Sequence, residues 1–160
     1  MGKKEAKTNA MRLLDRLAVP YEHFSYEAGE FVSGEETAEK LGLPPEEVYK
    51  TLVTKGQGGY FVFVIPILKE LDLKAAARAA GVKSLEMLHV KDLLAVTGYV
   101  RGGCTSLGMK KDYPVWLDSS AEGLEKIYVS AGRIGAQIRL APADLLKANG
   151  GKYAAVTKAQ

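Results

Sequence analysis

Tyr60 to Ile67, reading YFVFVIPI, is the most apolar stretch of the chain. A run this short and this rich in aromatic and β-branched residues is a strand, and its apolarity requires it to be buried. Val48 to Thr54 just before it also reads as a strand, and Lys55 to Gly59 between them is a glycine-bearing turn. The two arms form a hairpin whose second arm lies in the core. The rest of the chain must supply layers to cover it.

Helices and further strands surround this hairpin. Ala10, Met11, Leu13, Leu14 and Leu17 recur at helical spacing from Lys7 to Ala18, and Pro20 stops that helix. Tyr21 to Tyr26 alternates aromatic and polar residues as a strand does. Ser33 and Glu36 form a capping box, and Gly42 is a C-terminal stop, which predicts a helix from Gly34 to Leu41. Asp72 caps a helix that runs through Ala80 and closes at Gly81. Val82 to Met87 is a short strand and Val90 to Val96 a short helix. Tyr113 to Asp118, Ile127 to Ser130 and Ala136 to Leu140 are strands; Pro142 to Ala148 is a helix ended at Gly150. Several strands follow one another directly. The pattern predicts a mixed α/β class, with a curled mixed sheet or partly closed barrel flanked by helices. The length of 160 residues fits a single domain over 1–160.

Composition excludes several function classes. Cys104 is the only cysteine, so no internal disulfide and no cysteine-based zinc site can form; His23 and His89 are the only histidines. No metal and no cofactor is expected. Nothing approaches a membrane span, and the basic N-terminus lacks the apolar region of a signal peptide, so the expected place is the cytoplasm. A net charge of +3 permits an anionic partner without demanding one. No long apolar stripe calls for a dimer, so a monomer is expected.

Three constellations carry candidate chemistry. Lys50 shares a strand face with Val48, Leu52 and Thr54. A half-buried cation there either holds an anion or carbonyl oxygen, or guards a sheet edge. Gly98 to Gly108 is a glycine-rich loop that includes Gly102, Gly103, Cys104, Thr105 and Ser106. Its backbone N–H groups could cradle a phosphate or oxyanion, or it is a surface turn; it contains no phosphate-loop motif. Ser130 to Gly135, with Gly132 and Arg133, is a second such turn or a plain hairpin. Cys104 would need a base to act as a nucleophile.

In order along the chain these segments resemble the YbaK-type aminoacyl-tRNA deacylases. The matching pieces are Val48 to Leu52, Leu71 to Lys74, Thr97 to Gly103, Leu107 to Lys111 and Ile127 to Arg133. The resemblance implies a mixed sheet curled around a pocket and hydrolysis of misacylated tRNA without a metal. Cysteine on proline tRNA is the implied substrate, and prolyl-tRNA synthetase the implied partner. It implies that Lys50 holds the substrate end, that Gly102 and Gly103 line the aminoacyl pocket, and that Ser130 forms the opposite wall. Tyr26, Thr51, Thr105, Ser106, Gly132 and Arg133 are implied as substrate contacts. The chemistry implied is attack of the substrate's own thiol on its ester carbonyl, which leaves Cys104 as a packing residue.

The chain departs from the family loop G-G-x-S-P-x-G at Thr105 and Ser106, and Gln137 stands where an acidic residue is common. Alanine and serine therefore remain alternative leaving amino acids. A relative that binds tRNA or the synthetase without turnover is the alternative function.

Overall fold

The computed structural model describes residues 7–25 and 34–159. Its helices are α1 (Asn9–Arg16), α2 (Gly34–Leu41), α3 (Leu73–Ala80), α4 (Val90–Thr97) and α5 (Pro142–Asn149). The strands are β1 (Glu22–Ser25), β2 (Tyr49–Gly56), β3 (Gly59–Pro66), β4 (Leu85–Met87), β5 (Val115–Asp118), β6 (Ile127–Ser130), β7 (Ala136–Leu140) and β8 (Lys152–Ala154). A five-stranded sheet runs β4-β2-β3-β5-β8, and a three-stranded sheet runs β1-β7-β6. The class is mixed α/β as expected.

The hairpin is antiparallel, with Lys50 opposite Ile65 and Gly56 opposite Gly59. Its turn is tighter than the sequence suggests, because pairing continues to Gly56. On β3, Val62 and Val64 join the main core, while Phe63 and Ile65 face a second cluster with α3; all four are fully buried. Each side chain of this kind contributes roughly 1.5–3 kcal/mol on burial. Phe63 stacks on Trp116 with ring centroids 5.3 Å apart.

Local chemistry sets the helix ends. Asp72 Oδ1 accepts from the N–H groups of Lys74 and Ala75, opening α3, and Gly81 closes it at φ 74°. α5 starts on Pro142 and ends at Gly150 at φ 73°. Three strands differ from expectation, and one of them, β5, starts at Val115 instead of Tyr113. β4 begins only at Leu85, because Val82 still donates to the helical carbonyl of Ala77. β8, unmarked in the sequence, adds to the sheet edge parallel to β5.

The two sheets meet at one parallel bridge, Val48 to Tyr128, so the described strands close only part of a barrel. A third cluster of Ala38, Leu43, Val48, Ile67 and Tyr128 packs α2 over this junction. Among the described residues no helix is long and apolar enough to cross a membrane, and no group of three or more acidic, histidine or cysteine side chains could hold a metal.

Candidate functional site

The sheet junction positions the candidate site. Along a strand, side chains alternate between faces, so residues two apart share one. Two positions beyond the parallel Val48–Tyr128 bridge are Lys50 and Ser130. They therefore occupy the same face, where β2 runs beside β6. Ser130 pairs directly with Gln137 of β7, which brings Gln137 to that face too. Ala136, Ile138 and Leu140 turn the other way into the main core.

Lys50 is half-buried and has no ion-pair partner among the described residues. A cation kept on a partly covered face without a carboxylate is ready to meet an anion or a carbonyl oxygen. Ser130 Oγ accepts from the N–H of Gly132 at 3.1 Å, which leaves its own proton to donate. Gln137 is buried, and its Oε1 accepts from no described residue.

The two glycine-rich segments interlock beside Ser130. Gly103 lies against the backbone of Arg133 and Ile134, where an added Cβ would come within 2.9 Å. Gly132, at φ 102°, packs against the Tyr99 ring and Thr8. Thr8 Oγ1 donates to the carbonyl of Ala131 at 2.5 Å and accepts from Met11 N–H, so one hydroxyl both caps α1 and pins the turn. Tyr99 OH donates to Leu107 O at 2.5 Å across the loop. Thr8 carries no sequence signal beyond its capping residue type.

The structure divides the sequence-predicted residues. Lys50, Ser130, Gly103, Gly132 and the Arg133 backbone lie at the junction or against its turn. Gly103 N–H is already given to Val100 O at 2.9 Å, whereas Gly102, at φ 89°, keeps its N–H without a partner among the described residues. Thr51 pairs with Val64 and faces the main-core side, opposite Lys50. Thr105 and Ser106 are buried: Thr105 Oγ1 accepts from Leu107 N–H at 3.5 Å, and Ser106 Oγ accepts from Asn149 of α5 at 3.0 Å. Tyr26 lies outside the described residues. Gln137 is the functional candidate that motif reading left unassigned; a polar residue between the core residues Ala136 and Ile138 is the available signal.

Cys104 cannot be a ready thiolate. Burial pushes its pKa up to about 12, with a hydrogen bond involving Thr97 opposing that shift. His23 and His89 are both exposed, on β1 and at the start of α4, and neither hydrogen-bonds the thiol. No cysteine–histidine pair forms.

The chain is similar to known proteins over most of its length. The family profile of the aminoacyl-tRNA editing domain matches residues 29–148. EbsC of Enterococcus faecalis, named as a proposed Cys-tRNA(Pro)/Cys-tRNA(Cys) deacylase, is 47% identical over 157 residues, covering 97% of this chain and 96% of that protein. A proline–tRNA ligase of Shouchella clausii is 28% identical over 101 residues, 63% of this chain and 18% of the ligase. The crystal structure of a proposed trans-editing enzyme for prolyl-tRNA synthetase superimposes with a TM-score of 0.82 at 23% identity, over 97% of this chain and all of that one. The family match over residues 29–148 and the near-full-length similarity to EbsC lead to one assignment: this chain belongs to the aminoacyl-tRNA editing domain family.

Proposed function

We propose that the protein hydrolyses the ester joining a wrongly attached amino acid to the 3′ adenosine of tRNA, with cysteine on proline tRNA as its principal substrate. The observation that carries this reading is Lys50: a half-buried cation with no ion-pair partner among the described residues, on the same face as Ser130. The name of the Enterococcus relative supports the choice of amino acid.

In this reading Lys50 holds the terminal phosphate, ribose or ester carbonyl. The free N–H of Gly102 polarises the carbonyl as charge builds on its oxygen. Ser130 donates from the opposite wall. The substrate's cysteine thiol adds to its own ester carbonyl, the bond to the ribose oxygen breaks, that oxygen leaves with the thiol's proton, and a water then opens the resulting cyclic thioester to free cysteine. Such an intramolecular attack has a high effective concentration and needs no protein nucleophile. The protein acts in trans beside prolyl-tRNA synthetase, as a monomer.

The test is turnover, by the wild-type protein, of Cys-tRNA(Pro), Ala-tRNA(Pro) and serine-charged tRNA. Selective release of cysteine is expected. Release of alanine or serine alone moves the substrate within the same activity, and binding of tRNA without release of any amino acid overturns the enzymatic reading.

A further inference from the structure

A cavity of about 340 Å³ opens at the turn of the β2–β3 hairpin, lined by Gly58, Gly59, Tyr60, Lys111, Tyr113 and Pro114. Pockets that take small ligands begin at about 300 Å³. This one lies away from the sheet junction. Tyr60 pairs with Lys55, five positions beyond Lys50, a separation of about 17 Å along β2. The faces differ too: Lys50 pairs with Ile65 of the α3 cluster, whereas Tyr60 packs against the main core.

The sequence itself makes the opening. Val62 N–H donates to Pro114 O at 2.9 Å, and Val62 pairs with Val115 in the parallel ladder of β3 and β5. Two residues earlier the ladder would join Tyr60 to Tyr113. That step needs a backbone N–H at residue 114, and proline has none. Tyr113 N–H turns instead to Lys111 O at 3.1 Å. The strands part there, and the N–H and C=O of Tyr60 have no partner among the described residues. At Gly58 and Gly59 nothing lies within 4 Å of an added Cβ, so the turn leaves the space clear.

The lining selects a ligand. The Tyr60 and Tyr113 rings meet edge to face, with centroids 5.7 Å apart at 85°. In such a pair the ring that offers its edge has neither face covered by the other. Tyr113 OH donates to Val96 O at 2.7 Å, which fixes its ring. Lys111 is exposed and has no ion pair among the described residues; Asp112 beside it lines a smaller neighbouring cavity and not this one. An aromatic face, a donor and acceptor side by side, and a cation at the rim match a nucleobase with its phosphate. Lys110, next in the chain and also exposed, offers a second phosphate contact, which a chain of nucleotides uses and a single nucleotide does not.

We propose that this cavity is a second nucleic-acid contact that takes one unpaired nucleotide of an RNA chain. The base lies against the tyrosine rings and the Tyr60 backbone, and the phosphates meet Lys111 and Lys110. No aminoacyl group takes part, so the site stands whether or not the junction hydrolyses an ester.

The test uses an RNA trinucleotide with 2-aminopurine at its centre, the same sequence paired within a hairpin stem, and 2-aminopurine riboside 5′-phosphate. Stacking on an aromatic ring quenches the fluorescence of this base. Saturable quenching of the trinucleotide is expected, with no change for the paired base. Tyr60→Phe keeps the ring and should stay within about threefold of wild type, while Tyr60→Leu should bind about tenfold more weakly. Lys111→Ala, at an exposed position, should keep its Tm and lower the slope of log K against log salt by about 0.7. Lys50→Ala should bind as wild type does. Wild-type affinity in Tyr60→Leu overturns the proposal, and so does an unchanged salt slope in Lys111→Ala, which decides alone should Tyr60→Leu fail to fold. Loss of binding in Lys50→Ala with none in the other variants puts the RNA at the junction and overturns it. Equal affinity for the mononucleotide and the trinucleotide overturns an RNA chain as the occupant. A wild type that quenches no probe overturns the site altogether.

Discussion

Gly103 packs directly on the backbone of Arg133: a Cβ at residue 103 would lie 2.9 Å from both the Cα and the carbonyl carbon of Arg133. Backbone atoms cannot swing aside as a side-chain tip can. The loop from Gly98 to Gly108 and the turn after Ser130 therefore hold each other in place, and the wall of the site depends on a residue with no side chain.

Gly103→Ala is expected to destabilise the protein by about 1–3 kcal/mol, the usual cost of forcing atoms into a packed site. Turnover should fall with it, because the turn after Ser130 must shift. Gly123→Ala is the control, since nothing lies within 4 Å of a Cβ there. Thermal melts of both variants check this; an unaltered Tm and full turnover in Gly103→Ala would show that the two segments are not locked.

Thr8 joins the first helix to the same turn. Thr8→Ala removes both the cap of α1 and the bond to Ala131 O. The expected loss is about 1–2 kcal/mol. Thr8→Ser keeps the oxygen and should recover most of it. Denaturant midpoints of the two variants measure the difference.

Much of this architecture is legible in the sequence where the cause is local. Asp72 with Gly81, and Pro142 with Gly150, mark two helices because caps act within a turn or two. The apolar run of β3 marks the buried arm. The rest depends on distant partners. β8 is only Lys152, Tyr153 and Ala154, and it is a strand because β5 offers it an edge. Thr105 and Ser106 look like pocket hydroxyls in a glycine-rich loop, yet Asn149 on the last helix draws Ser106 inward. The sharing of a face by Lys50 and Ser130 comes from a bridge between residues 48 and 128. No spacing along the chain encodes it.

The thiol of Cys104 and the phenol of Tyr99 are each pushed up to about 12 by burial, from ordinary values of 9.0 and 10.0. Between those ordinary values and about 12 the folded protein holds protons that the unfolded chain has released. Stability from these groups is thus complete below pH 9 and is lost as pH rises through the window to about 12. Tm should fall over that range, and Cys104→Ala should delay the fall. Iodoacetamide near neutral pH should leave turnover intact; rapid inactivation would contradict a protonated thiol.

Transfer RNA should bind weakly and with strong salt dependence, because a net charge of +3 offers limited phosphate neutralisation. Lys110 and Lys111 are both exposed and form no ion pair among the described residues, whereas Lys7 is paired with Asp15 at 2.5 Å. Replacing both Lys110 and Lys111 by alanine should reduce the slope of log K against log salt by about 1.5–2. Fluorescence anisotropy across a salt series gives the slope, and an unchanged slope would remove these lysines from the interface.

The central claim is that Lys50, on the same face as Ser130 and with no ion-pair partner among the described residues, holds the aminoacyl end of tRNA during deacylation. The most direct measurement is single-turnover release of cysteine from Cys-tRNA(Pro) by the wild-type protein and by Lys50→Ala, with Tm measured alongside. The account predicts loss of roughly 100-fold or more in rate, the scale for removing one group that stabilises developing charge, with little change in Tm. Wild-type release in a folded Lys50→Ala protein would contradict it.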